Sequence, residues 1–262
     1  MAYQHEWEKG DLLRIAQGKV NGFSLVHKFG HATINTDIVP VCYGTAWQTP
    51  TTPQVLTAKS TNAGDTSAGT GGQQIYVQYL NSAYVYQTAY LEMAGTAETA
   101  GTISDVLRVV RAYVSRSGSY ASAVKASHFG NISLIGSNAG VLWSLIPTLA
   151  SSFGAGQSLI GAYTVPKGHT AFILNQFVTV DANKSTDFYF FKRENINDIT
   201  TPFSGTMRVQ SLEVGVKEPI DKKHSTAELY PEYTDIGYMA KGAQSGDCAV
   251  EFELILVDNN YL

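Results

Sequence analysis

Apolar and polar residues alternate along most of this chain, and the period of two predicts β-strands. The clearest segments are residues 74–79 and residues 248–258. In the second segment, alternate apolar residues from Val250 to Leu256 face one way, while Glu251 and Glu253 face the other. We expect the apolar face of that strand to be buried and the two carboxylates to lie in solvent.

Roughly a dozen segments of this kind follow one another between residues 23 and 258. Residues 74–79 and 84–93 are separated by a short turn and predict a hairpin. Pro166-Lys167-Gly168 predicts a second reversal, because Pro presets the first turn position and Gly accepts a positive φ. No regular alternation of strands and helices is visible, so we predict an all-β fold built from two β-sandwich or jelly-roll-like modules.

Helical spacing of apolar residues occurs only near the start of the chain, where residues 6–17 predict a short helix or arm. A Gly- and Ser-containing passage over residues 136–156 marks a boundary. We therefore predict an N-terminal arm over residues 1–17, a first β-sandwich module over residues 18–145, and a second, jelly-roll-like module over residues 158–262.

The charge content changes this picture. Charged residues make up 15% of the 262 residues, against roughly 25% in typical soluble domains. Residues 1–157 carry 9 basic and 8 acidic side chains, whereas residues 158–262 carry 9 and 14. No Lys or Arg lies between Lys59 and Arg108. We expect the neutral half to form the assembly face and the acidic half to point outward.

Composition also excludes several classes of protein. An apolar share of 44% with a net charge of −4 is untypical of a disordered chain. The same charge argues against a nucleic-acid-binding protein, and Arg108 and Arg111 are expected on opposite faces of their strand. No apolar run reaches the ~18 residues of a membrane span, and the acidic N-terminus is no signal peptide. We expect no membrane contact and synthesis in a cytoplasm.

The sequence contains no motif that identifies a catalytic, cofactor-binding or metal-binding residue. His27 and His31 are four residues apart but lack the Glu of a zincin motif. The Gly-rich segment 61–72 lacks the Gly-Lys-Ser/Thr of a phosphate-binding loop and predicts a flexible hairpin tip. Cys42 and Cys248 predict two reduced thiols. We expect a protein that is not an enzyme and needs no cofactor.

The candidate functional residues are aromatic and apolar side chains that are suited to an interface. Tyrosine recurs along the neutral stretch, and two interpretations remain open: cross-strand packing on a half-buried sheet, or contact with a partner protein. The candidate interface residues are Trp7, Leu12, Phe23, Phe29, Tyr76, Tyr79, Tyr84, Tyr86 and Tyr90.

Five segments, in order, resemble a group of tailed-bacteriophage virion structural proteins that is common among marine phages. They are residues 22–30 (GFSLVHKFG), 63–71 (AGDTSAGTG), 107–114 (LRVVRAYV), 163–172 (YTVPKGHTAF) and 233–241 (YTDIGYMAK). The marks are spread over residues 18–258, and it is their shared order that carries the resemblance.

The resemblance implies a non-enzymatic virion protein made in the host cytoplasm, and we expect a capsid-exterior decoration or cement protein. The alternative is a tail, neck or fibre-base component that binds a host surface glycan. Its expected partners are the major capsid protein or tail and neck proteins, together with further copies of itself in a cyclic oligomer, with a trimer favoured.

Overall fold

The chain is almost entirely β-structure, as its alternating pattern predicts. The computed structural model describes residues 9–44, 46–120, 127–138, 140–148 and 156–262, with the side chains at 9, 10, 225 and 226 left out. Helix α1 spans Lys9–Ala16, and a 3-10 turn spans Asn259–Tyr261. The strands are β1 (Phe23–Ile34), β2 (Val39–Pro40), β3 (Gln54–Ser60), β4 (Gly72–Leu80), β5 (Tyr86–Glu92), β6 (Ile103–Val106), β7 (Arg108–Ser117), β8 (Ile132–Gly136), β9 (Leu142–Ile146), β10 (Ala162–Val165), β11 (His169–Val180), β12 (Thr186–Arg193), β13 (Arg208–Val216), β14 (Ile220–Tyr230), β15 (Thr234–Gly242) and β16 (Gly246–Asp258).

Eight of these strands form a jelly roll. One sheet has the order β1-β16-β11-β14 and the other has the order β10-β15-β12-β13. Counted along the chain, these eight strands are therefore arranged 1-8-3-6 and 2-7-4-5, which is the double Greek key of a jelly roll. Their facing sides enclose a core that includes Tyr163, Phe188, Phe190, Tyr238 and Phe252.

The other β-sandwich is inserted between the first and second strands of the jelly roll. It packs the sheet β6-β3-β8-β9 against the sheet β5-β4-β7. Strand β2 before the insertion and strand β10 after it both pair with β15, and Cys42 forms a bridge with Ile160. The inserted chain therefore leaves and re-enters the jelly roll at neighbouring points.

This arrangement differs from the predicted division of the chain in one respect. Strand β1 lies within the predicted first module at residues 18–145, yet it pairs with β16 along its whole length. The jelly roll thus uses residues 23–34 as well as residues 162–258. Local sequence pattern does not reveal which distant strand a strand will pair with, so the insertion was not predicted.

Strand β16 is buried on both faces near its end. Leu254 and Leu256 face the jelly-roll core as predicted, but Ile255 and Val257 are also buried. They pack against Ile15 of helix α1. Helix α1 therefore covers the outer face of the sheet that contains β16. This contact explains why the alternation in β16 gives way to a continuous apolar run.

The Gly-rich segment 61–72 is not a flexible hairpin tip. It crosses from β3 in one sheet to β4 in the other, and the buried carboxylate of Asp65 organises it. Asp65 accepts hydrogen bonds from the Ser60 hydroxyl and from the backbone N–H groups of Gly72, Phe129 and Gly130. The prediction of a flexible tip was wrong because the partners of Asp65 lie as far away as residue 130, and local sequence does not reveal them.

Candidate interaction surface

Three tyrosines form a row across the outer face of the sheet β5-β4-β7. Tyr76 lies directly opposite Tyr90 on one side and Tyr113 on the other. The ring centroids are 5.1 Å and 5.0 Å apart. Tyr90 is 59% exposed and Tyr113 is 36% exposed. We call these three residues the tyrosine ladder.

Two rows of polar side chains flank the ladder on the same face. One row holds Glu92, Gln74 and Arg116, which are joined by hydrogen bonds from Gln74 to Glu92 and from Arg116 to Glu92. The other row holds Thr88, Gln78 and Arg111, with Gln78 opposite both of the others in the register. The face thus offers aromatic rings, amides, hydroxyls and two guanidinium groups, of which that of Arg116 is paired with Glu92. Such composition is typical of protein interfaces.

A cleft of about 500 Å³ lies between this face and the jelly roll. Gln78, Thr88 and Arg111 line it on one side, and residues 24–28 of β1 line it on the other. The Arg111 guanidinium donates to the backbone carbonyl of His27 at 2.6 Å. Arg111 therefore joins the two sandwiches at this cleft.

Lys28 sits buried at the base of this cleft. Its ammonium donates to the backbone carbonyl of Val110 at 2.5 Å, which is a contact between the jelly roll and the inserted sandwich. Burial, together with the nearby Arg111 guanidinium, lowers the pKa of Lys28 to about 7. A charged ammonium loses its hydration here, and the hydrogen bond that the structure describes for it is the one to the Val110 carbonyl. The charged form of Lys28 is therefore costly.

The candidate residues Tyr84 and Tyr86 lie in the contact between the sandwiches rather than on a free surface. Tyr84 is buried, and its hydroxyl donates to the carbonyl of Ile196 at 3.0 Å. The Tyr86 hydroxyl donates to that of the buried Tyr163 at 2.7 Å, and burial raises the pKa of both phenols. For these two tyrosines the packing interpretation fits the structure.

The remaining candidates are divided between the interior and the surface. Tyr79 packs against the core of the inserted sandwich, and Leu12 and Phe23 pack in the small cluster beneath helix α1. Phe29 is half-buried on β1, opposite Glu251. Trp7 lies outside the described residues. Of the eight candidates that the structure describes, Tyr76 and Tyr90 are thus the ones that it brings together on an open face.

A buried ion pair fastens the two sandwiches on their other side. Arg108 of β7 and Asp235 of β15 are both buried, and the guanidinium Nη2 lies 3.2 Å from the carboxylate. Asp235 also accepts from Thr164 at 2.6 Å and pairs with Arg193. Local sequence does not reveal this pair, because Asp235 lies 127 residues from Arg108 along the chain.

Residues with candidate chemistry do not converge. His27 is exposed beside Glu251, whereas His31 is buried and packs against Tyr43. Burial raises the pKa of Cys42 and Cys248 to about 12, so both are protonated thiols. Among the described residues, no group of three or more His, Cys, Asp or Glu is placed to hold a metal ion. Within the same part of the chain, no helix has the length and hydropathy needed to cross a membrane.

Comparison with known proteins assigns no family. No family model and no curated protein matches the chain. Among solved structures, a chain in the structure of infectious bursal disease virus, Gx strain, shares 11% sequence identity with this chain. The alignment covers 90% of this chain and 71% of that one, and its TM-score is 0.24. A chain in the structure of T=1 particles derived from infectious bursal virus shares 12% sequence identity. Here 91% of this chain and 74% of that one are covered, with a TM-score of 0.21. Such low TM-scores do not establish a shared fold, so these structures carry no function over to this chain.

Proposed function

We propose that this chain is a non-enzymatic structural protein of a virus particle, and that the tyrosine ladder is the surface by which it is held there. The observation that carries the proposal is the open face of aromatic and polar side chains around Tyr76, Tyr90 and Tyr113. Tyrosines supply large contact areas at low cost in side-chain entropy, and they are enriched at interfaces.

The sequence resemblance to tailed-bacteriophage virion proteins supports this role along residues 18–258. A jelly roll is compatible with it, since capsid proteins use this fold, but lectins and cupins use it as well. The finer proposal is a decoration or cement protein on the capsid exterior. Its partner at the ladder would then be the major capsid protein, met through ring stacking and amide hydrogen bonds.

The contacts between the two sandwiches support the same role. The inserted sandwich contributes Leu80, Leu107 and Val110 to the apolar core of the jelly roll. The buried Arg108–Asp235 pair and the Tyr86–Tyr163 hydrogen bond add directional contacts. Contacts that hold the two halves together reduce the conformational freedom lost on binding, which favours a persistent contact in a particle.

Incorporation into particles tests the proposal. We expect the double variant Tyr90→Ala/Tyr113→Ala to be lost from purified particles, because truncation removes both outer rings of the ladder while Tyr76 stays half-buried. Tyr120→Ala is the matched control, since Tyr120 is 94% exposed and lies outside the ladder. Equal incorporation of both variants, measured by quantitative mass spectrometry, would contradict the role of the ladder. A wild-type chain absent from purified particles would contradict the virion role itself.

The cleft favours a second candidate function at the tail, neck or fibre base. Aromatic rings beside hydroxyl, amide and guanidinium groups can hold a sugar, and here the ladder adjoins Thr88, Gln78 and Arg111. Purified wild-type protein would then bind oligosaccharides of the host surface, and Tyr90→Ala would weaken that binding. Retention of Tyr90→Ala in particles together with lost sugar binding would favour this candidate over decoration.

A further inference from the structure

The outer edge of strand β13 is exposed and apolar. Among the described residues, β13 pairs with β12 on one side and lies at the end of its sheet on the other. Four of its neighbouring large apolar side chains are about half exposed or more, namely Met207, Val209, Leu212 and Val214. Strand edges that combine unpaired backbone groups with apolar side chains are templates for pairing with another strand.

A β-bulge decides which side chains of β13 share a face. Ser211 lies opposite Phe190 and Val209 lies opposite Phe191, so Gln210 is the extra residue between them. Glu213 lies opposite Phe188, and Arg208 lies opposite Lys192. Directly opposite residues share a face of the sheet. Arg208 and Glu213 are therefore on the same face as the core residues Phe188 and Phe190, although they are five residues apart.

The other face of β13 carries the apolar residues. Leu212 lies opposite Tyr189, and Val209 lies opposite Phe191. Tyr189 and Phe191 are the strand neighbours that point away from the core residue Phe190, so Val209 and Leu212 share the outer face. Without the bulge, two residues three apart would point to opposite faces.

These faces make β13 complementary to a second copy of itself. A two-fold axis between Gln210 and Ser211 sets two β13 strands antiparallel, with Arg208 of one copy opposite Glu213 of the other. In the same register Val209 meets Leu212, and Met207 meets Val214. Both charge pairs form on one face, and both Val209–Leu212 pairs form on the other. A two-fold contact requires this self-complementarity, because each surface patch meets its own copy.

We propose that two copies of this chain pair through β13 in this antiparallel register, which joins two jelly-roll sheets into one. The inference does not depend on the virion role. A second copy is favoured over another partner by the charges: Arg and Glu are symmetric about the Gln210–Ser211 axis and opposite in sign. Charged residues and bulges usually protect an edge from pairing. Here they are placed so that self-pairing forms two attractive Arg208–Glu213 pairs, one on each side of the two-fold axis.

Charge reversal tests the register. Arg208→Glu places two glutamates opposite each other in both pairs of the dimer, and Glu213→Arg places two arginines there. We expect each single variant to be monomeric by size-exclusion chromatography with light scattering, while the wild type is dimeric. An equimolar mixture of the two variants restores an opposite-charge pair at both positions. We therefore expect the mixture to regain the mass of a dimer.

The mixture also separates the interface from damage to the fold. Arg208 pairs with Glu194 and Glu213 pairs with Lys222 within one chain, so each reversal also removes an intramolecular ion pair. Mixing cannot repair those contacts, whereas it does repair the proposed one. Lys59→Glu, on the exposed face of β3 in the inserted sandwich, changes the charge equally and serves as the control that stays dimeric.

Three results would overturn the proposal. They are a wild-type monomer over the accessible range of protein concentration, a wild-type trimer that both reversals leave intact, and folded single variants whose mixture stays monomeric. Circular dichroism of each variant establishes that it is folded before its mass is interpreted.

Discussion

At the scale of single residues, Lys28 makes stability depend on pH. Its folded pKa of about 7 lies below the ordinary value of 10.5, so between these values the unfolded chain binds the proton and the folded chain does not. Stability therefore rises with pH over that window. The opposite holds for Cys42, whose pKa rises from 9.0 to about 12, so its contribution is lost as pH rises above 9.

We predict that Lys28→Met reduces the rise in stability between pH 7 and pH 9. Methionine fills a similar volume and carries no proton, so this position no longer contributes to the slope. Urea denaturation at a series of pH values measures the free energy of unfolding for the variant and the wild type. Parallel curves for the two proteins across this window would contradict the lowered pKa of Lys28.

Asp65 is a second residue whose effect is local and testable. Asp65→Ala leaves the N–H groups of Gly72, Phe129 and Gly130 without their acceptor in a buried site. We expect a loss of about 3 kcal/mol or more, because hydrogen bonds to a charged group contribute more than neutral ones and buried donors become unsatisfied. The exposed Asp198, which accepts from Thr200 and Ser204, gives the control Asp198→Ala. A comparable loss in both variants on chemical denaturation would contradict the role assigned to Asp65.

At the scale of secondary-structure elements, the close approach of β1 to the start of β10 depends on two glycines. A Cβ added at Gly30 would lie 2.3 Å from the backbone nitrogen of Gly161. Both glycines lie where the chain re-enters the jelly roll after the insertion, and backbone atoms there cannot move aside as a flexible side chain would. This is a packing requirement, since Gly30 has no positive φ.

We predict that Gly30→Ala destabilises the protein by about 1–3 kcal/mol or more, which is the range for overfilled sites. Gly101→Ala is the matched control, because an added Cβ there meets only a Leu91 methyl at 3.9 Å. Thermal unfolding of both variants gives the comparison. Equal melting temperatures would show that the chain relaxes around Gly30 at little cost.

The elements themselves were largely predictable, while their faces were only partly so. Residues 74–79 and 84–93 form the predicted hairpin, as β4 and β5. Pro40 marks a short edge strand, as expected of a residue that cannot donate to a sheet ladder. By contrast, the bulge at Gln210 has no local signal, and it is this bulge that brings Arg208 and Glu213 to one face.

At the scale of the whole molecule, the contact between the sandwiches depends on residues far apart in sequence. Arg108 and Asp235 are separated by 127 residues, and Lys28 and Val110 by 82. Sequence composition predicts that such a chain folds into sandwiches, but not which polar groups are buried together. The tyrosine ladder was predicted in part: Tyr76 and Tyr90 were candidates, while Tyr113 becomes their neighbour only through the pairing of β4 with β7.

The buried ion pair gives a prediction at this scale. Arg108→Met leaves Asp235 in a buried site with Arg193 and Thr164 as remaining partners. We expect a loss of about 3–5 kcal/mol in the free energy of unfolding, as is typical when one member of a buried pair is removed. Arg116→Met is the control, because Arg116 and Glu92 form an exposed pair. Equal stability of the two variants in guanidinium denaturation would contradict the structural importance of the Arg108–Asp235 pair.

The measurement that tests the virion role most directly is a cryo-electron microscopy density map of particles that contain this chain. We predict density for both sandwiches, with Tyr76, Tyr90 and Tyr113 covered by a neighbouring virion protein in every copy. Particles without density for this chain would contradict the structural role. Density that leaves the tyrosine ladder in solvent in every copy would contradict the surface assigned to it.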